Sequence, residues 1–147
     1  MARILIIDDD DTLRGIITKS LTHAGHTVSQ ASNGRKGVAL FRAEPADLVV
    51  TDLVMPEQEG IETIKILHRD FPSTPIIAMS GGLDGSPLYL DLTRRLGAAC
   101  TLTKPFTLQQ LRQANDQILA RPPAVSTGYP HFDENGQWVT GGSGPLR

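Results

Sequence analysis

Only one cysteine, Cys100, occurs in 147 residues, so no internal disulfide can form and nothing argues for an oxidising compartment. An excess of charge of one sign is missing as well: Lys plus Arg is 14, Asp plus Glu is 16, and the formal net charge is -2. That balance excludes a broadly basic nucleic-acid binder. Long hydrophobic runs are absent. The N-terminal Ile4-Leu5-Ile6-Ile7 is too short for the apolar region of a signal peptide and far too short to span a bilayer. Aromatic residues make up 5% of the chain. The expectation is one soluble cytoplasmic domain, long enough to bury roughly two thirds of its unfolded surface, with no nucleic-acid or membrane partner.

What the chain does have is unevenly spread. Residues 1–120 hold 9 Gly and 6 Pro, whereas 121–147 hold the remaining 5 and 4. The second stretch opens on Arg121-Pro122-Pro123, a stop for any preceding helix. It ends in Gly141-Gly142-Ser143-Gly144-Pro145, which reads as loose chain. The body, 1–120, and the Gly/Pro-rich tail, 121–147, are therefore separate cases. Yet Tyr129, Phe132 and Trp138 are three of the chain's seven aromatics, and linkers are poor in such residues. Residues 131–140 read as a β-hairpin around Asn135-Gly136. A hairpin alone is marginal in water, so this one is expected to dock on the body or on a second copy of it.

In the body, short apolar runs alternate with helical patterns. Ile4–Ile7, Leu48-Val49-Val50 and Ile76–Met79 are continuous, as strands buried on both faces should be. His26–Ala31 and Cys100–Thr103 are weaker strand candidates. Leu13, Ile16, Ile17, Leu21 and Ala24 share a helical face, and Gly25 stands at its stop. Ile61, Ile64 and Leu67 repeat the pattern, as do Leu88, Leu92 and Leu96, then Leu108, Leu111 and Ile118. Val38 and Phe41 mark one shorter helix. Five βα units imply an α/β fold with a parallel sheet and helices on both faces.

In such sheets the functional crevice lies beyond the carboxyl ends of the strands. Asp8 and Asp9 follow the first strand, Asp52 the third, Ser80 the fourth and Lys104 the fifth. Three converging carboxylates oppose one another's ionisation, and a divalent cation resolves that conflict. All-oxygen ligation suits Mg²⁺. Lys104 adds a movable positive charge and Ser80 a hydroxyl donor, so the set suits a phosphoryl group with its metal. Asp10 or Asp11 serves better as a helix N-cap.

Four stretches in order carry a family resemblance: Ile4–Asp10, Asp47–Pro56, Ala78-Met79-Ser80-Gly81 and Lys104-Pro105-Phe106. Over residues 1–120 the chain resembles a receiver domain of two-component response regulators, similar to the small single-domain chemotaxis regulators. The resemblance implies a flavodoxin-like (βα)5 sheet with strand order 2-1-3-4-5. It implies that Asp52 is the phosphoacceptor, that Ser80 and Lys104 contact the phosphoryl group, and that the Lys104–Pro105 peptide is cis. It also implies Mg²⁺ held by Asp8, Asp9, Asp52 and the backbone carbonyl of Val54. An aspartate's ordinary pKa of about 3.9 leaves it ionised at neutral pH, so in-line attack by Asp52 needs no general base. The implied donor is a sensor histidine kinase or histidine phosphotransfer protein, and output runs through a downstream protein target, with homodimerisation left open. Such a protein assists its own phosphorylation and dephosphorylation and is not an enzyme of metabolism.

Two features depart from the family. Thr101 stands where an aromatic usually precedes the lysine by three residues, and it is too small for the usual inward turn. The loop 81–87 is Gly-rich and reads as a mobile segment beside the site. One rival of another class fits part of the pattern: Asp8-x-Asp10-x-Thr12 matches the signature of haloacid-dehalogenase-like phosphohydrolases, with Asp8 as nucleophile and Asp10 as acid/base. It leaves Asp52–Pro56 unexplained and lacks the later acidic motif. A flavin-binding module fails because Asp8–Asp11 would repel a phosphate, and a DNA-binding regulator fails because the tail has no recognition helix.

Overall fold

The apolar runs form strands because their β-branched and leucine side chains fill both faces of a pleat at once. A computed structural model describes residues 1–53, 59–80, 94–120, 131–132 and 135–139. Five strands run in parallel: β1 (Arg3–Ile7), β2 (Thr27–Ala31), β3 (Leu48–Asp52), β4 (Ile76–Ser80) and β5 (Cys100–Thr103). Their order is β2-β1-β3-β4-β5, the flavodoxin-like arrangement. Beyond β5 the sheet continues into β6 (His131–Phe132) and β7 (Trp138–Val139). β6 pairs parallel to β5 through Thr101 and His131, and β7 returns antiparallel to β6.

Alternation along each strand splits the core in two. Ile4, Ile6, Leu48, Val50, Ile77 and Met79 face one layer, with Ile17 and Leu21 of α1 (Asp11–His23). Leu5, Ile7, Val49, Ile76 and Ala78 face the other, with Phe41 of α2 (Gly34–Ala43) and Ile64 and Leu67 of α3 (Glu59–Asp70). Leu111, Ala114 and Ile118 of α4 (Leu108–Ala120) complete the first layer. Helices therefore cover both faces, as parallel strands require. Three residues on the expected apolar stripes lie outside this packing: Ile16 is 47% and Leu108 39% exposed, and Ala24, the C-terminal cap of α1, is exposed as well. Of the helix expected through Leu88, Leu92 and Leu96, residues 94–96 are helical and the rest lies outside the described residues.

Local signals set the helix ends. The Asp10 side chain accepts from the Leu13 N–H at 3.0 Å, capping α1. Past its other end Gly25 takes φ +102°, a region that side-chain-bearing residues avoid. Asn33 caps α2 by accepting from Lys36 N–H at 2.8 Å. Among the described residues no helix is long and apolar enough to cross a membrane.

Candidate functional site

β1 and β3 lie side by side, with Ile7 opposite Thr51, so the next residues along, Asp8 and Asp52, emerge together at the sheet's carboxyl edge. One carboxylate oxygen from each of Asp8, Asp9 and Asp52 falls within 4.8 Å of the others. Asp8 is wholly buried and Asp52 is 5% exposed, whereas Asp9 is exposed. The cluster is thus two buried acids with a third at the solvent rim.

The buried pair is held from several directions. Asp8 Oδ1 accepts from the Asp10 N–H at 2.8 Å. Asp8 Oδ2 meets Lys104 Nζ at 3.1 Å, and the same ammonium reaches Asp52 Oδ2 at 3.3 Å. Burial alone would push the Lys104 pKa down, but the Asp52 and Asp8 carboxylates outweigh it and the net shift is upward. Lys104 therefore stays charged throughout the neutral range. Its backbone N–H donates to the Ser80 carbonyl at 2.6 Å, which ties the end of β5 to the end of β4. The Lys104–Pro105 peptide is cis, and Ser80 is buried.

The structure brings together Asp8, Asp9, Asp52, Ser80 and Lys104 at one end of the sheet. Val54 and the loop 81–87 lie outside the described residues. Asp10 serves as the α1 cap, not as a member of the acidic cluster. Thr101 is 3% exposed in β5.

Two supporting residues escaped the sequence reading. Arg14 Nη1 donates to the Asp8 backbone carbonyl at 2.6 Å, while Nη2 pairs with Asp11 at 2.6 Å. Its guanidinium fixes the β1–α1 turn from behind. The available signal was the i,i+3 spacing of Asp11 and Arg14 on one helix. Gly60 is the other: a Cβ there would overlap the backbone carbonyls of Asp52 and Leu53. A glycine in the first turn of α3 lets that helix lie directly against the turn after Asp52.

This geometry can hold a divalent cation on oxygen ligands and places an ammonium beside two buried carboxylates. Comparison with known proteins points the same way. Residues 4–116 match the family described as the response regulator receiver domain. The protein PilH of Pseudomonas aeruginosa is 36% identical over 120 residues, 82% of this chain and 99% of that protein. A probable transcriptional regulatory protein of Picosynechococcus is 34% identical over 117 residues, 75% of this chain but 46% of its own length. This chain thus spans under half of that relative. The structure of the chemotaxis response regulator CheY4 of Vibrio cholerae superposes with a TM-score of 0.74 at 28% identity, covering 80% of this chain and 98% of that one. The phosphohydrolase reading on Asp8 and Asp10 gains no support from these matches. A match across most of the chain, joined to an acidic cluster at the strand ends, makes this chain a member of the response regulator receiver domain family of two-component systems.

Proposed function

We propose that the chain accepts a phosphoryl group on Asp52 and signals through protein contacts that depend on it. The observation that carries this reading is the pairing of buried Asp52 and Asp8 through one ammonium, Lys104, at 3.3 and 3.1 Å. A buried carboxylate with an ammonium beside it is placed for in-line attack on a phosphoryl group whose charge that ammonium can neutralise. An Asp52 oxygen forms the new bond to phosphorus as the bond from phosphorus to the donor's imidazole nitrogen breaks, and the imidazole leaves with its electron pair. Lys104 then neutralises an oxygen of the transferred group, and the Ser80 hydroxyl donates to another. Asp8, Asp9 and Asp52, with the Val54 carbonyl that the family resemblance adds, would hold Mg²⁺. When bound, that ion supplies charge neutralisation at the phosphoryl oxygens.

The donor in this reading is a sensor histidine kinase or a histidine phosphotransfer protein, and the recipient of the signal is a downstream protein. Water later cleaves the acyl phosphate and resets the site, so the chain is a switch and not a metabolic enzyme. Incubation with Mg²⁺ and acetyl phosphate or phosphoramidate should add one phosphoryl mass that hydroxylamine removes. Asp52→Asn should abolish the addition. Labelling of Asp52→Asn at the wild-type rate would overturn the assignment.

A further inference from the structure

A five-stranded parallel sheet has two edges, and here they differ. β2 is the outer strand on one side and is polar and partly exposed. On the other side Cys100, Thr101 and Leu102 of β5 are all buried. A buried, apolar edge strand is a liability unless something pairs with it. The chain supplies that partner itself: β6 pairs parallel to β5 at Thr101, and β7 folds back on β6. Thr101 is therefore in register with Ala78 of β4 on one side and His131 of β6 on the other.

The hairpin reaches a second element as well. Its turn passes through Gly136 at φ +77°, and the place a Cβ would take there lies 3.2 Å from Gln110 Nε2 in α4. Gln110 completes the capping box of α4: Thr107 is the N-cap, its Oγ1 accepting from the Gln110 N–H at 3.0 Å, and Gln110 Oε1 accepts in turn from the Thr107 N–H at 2.9 Å. Between these two points of contact, Thr101 and Gln110, the chain carries Lys104.

We infer that the 131–139 hairpin is an internal regulator of the acidic site, clamping the β5–α4 segment at both ends and setting how firmly Lys104 is held over Asp8 and Asp52. The inference rests on the phosphoryl-accepting reading of Asp52. On its inner side β5 is secured by β4 and by the Lys104 N–H bond to Ser80. On its outer side β6 is the strand that pairs with it. Four residues with one paired edge fray more readily than four with two, and a phosphoryl transfer that relies on positioning is sensitive to such looseness. The coupling works in both directions, so occupancy of the site alters hairpin docking by the same factor.

The test breaks the turn in the full chain without touching the site. Gly136→Val places a β-branched residue at positive φ; Gly136→Asn, which tolerates that conformation and adds the same Cβ beside the flexible Gln110 side chain, is the rescue. Hydrogen exchange at residues 100–104 is followed without any phosphoryl donor, and labelling by acetyl phosphate is timed at saturating Mg²⁺. Exchange should quicken about tenfold or more in Gly136→Val, and labelling should slow roughly three- to tenfold, with both restored in Gly136→Asn. Unchanged exchange in Gly136→Val overturns the clamp. Faster exchange with unchanged labelling overturns its control of the site. If wild type itself fails to label with acetyl phosphate, labelling by a phosphohistidine donor decides the phosphoacceptor reading, and exchange at residues 100–104 alone sustains or overturns the clamp.

Discussion

Two kinds of buried polar side chain occur here, and they are treated in opposite ways. Asp8 and Asp52 are buried charges, but Lys104 bridges them and a backbone N–H serves Asp8. Buried charges are tolerated when paired in this way, and removing one partner is costly. Asn115 is the other kind. It is wholly buried on α4 beside Leu111 and Ile118, and among the described residues neither its Nδ2 nor its Oδ1 has a hydrogen-bond partner. An amide desolvated without a partner costs about 1–3 kcal/mol. Replacing it by an apolar residue removes that cost without opening a void. Asn115→Leu should therefore stabilise the protein by about 1–2 kcal/mol, a rise in melting temperature of roughly 3–6 °C for a chain of this length. Calorimetry decides it, and a fall in melting temperature would show that the amide is satisfied in solution. The phosphoryl transfer proposed at Asp52 should be unaffected, because α4 carries Asn115 on its sheet-facing side and not at the acidic cluster.

Among the elements, the junction of α2 and α3 shows how charge and packing combine away from the site. Phe41 and Phe71 pack with ring centroids 4.6 Å apart and planes tilted by 57°, and Arg42 lies 5.4 Å over the Phe71 ring. Arg42 also meets Asp70 at 2.7 Å, and Arg69 meets it at 2.8 Å. Hydrogen bonds from Arg69 and then Arg42 hold the Asp70 carboxyl at about 2, below its ordinary 3.8. A carboxyl whose folded pKa is depressed contributes stability above its unfolded pKa and loses it as pH falls through the folded value. The Asp70 contribution is therefore complete above about pH 4 and fades towards pH 2. Asp70→Asn should be less stable at neutral pH and should lose less melting temperature than wild type between pH 4 and 2. Parallel acid limbs for the two proteins would rule the pairing out as a source of stability. The Phe41 and Phe71 contact and the end-to-end pairing of α2 and α3 were not legible in the sequence, because they join residues distant along the chain. The strands were legible, since Ile4–Ile7 or Ile76–Met79 can satisfy little else than a two-sided strand. The strand-end acids were legible for the same reason. Arg14 and Gly60 were not: one acts through a backbone carbonyl and the other through the side chain it lacks. Ile16 and Leu108 show the reverse error, because helical periodicity marks a stripe wider than the face that packs.

On the scale of the whole molecule, the topology gathers charge that the composition hides. The chain's net charge is only -2, yet three carboxylates and one ammonium meet at the ends of β1, β3 and β5. A local excess of about two negative charges is repulsive in the absence of a cation. A divalent ion offsets that excess in the folded state alone, so binding should appear as stability. At ten times its dissociation constant, Mg²⁺ should contribute about 1.4 kcal/mol, near 3–6 °C in melting temperature. The effect should shrink in 1 M salt, where the screening length falls to about 3 Å. The three acids should not respond alike. Asp9 is exposed, so Asp9→Asn should change the stability of the metal-free protein by less than about 0.5 kcal/mol while cutting the Mg²⁺ increment. Asp8→Asn removes a buried partner of Lys104 and should alter both. Melting curves with and without Mg²⁺ for the three proteins separate these effects. An undiminished Mg²⁺ increment in Asp8→Asn and Asp9→Asn would place the cation elsewhere on the molecule, and a large loss of metal-free stability in Asp9→Asn would make that residue a structural support of the β1–α1 turn.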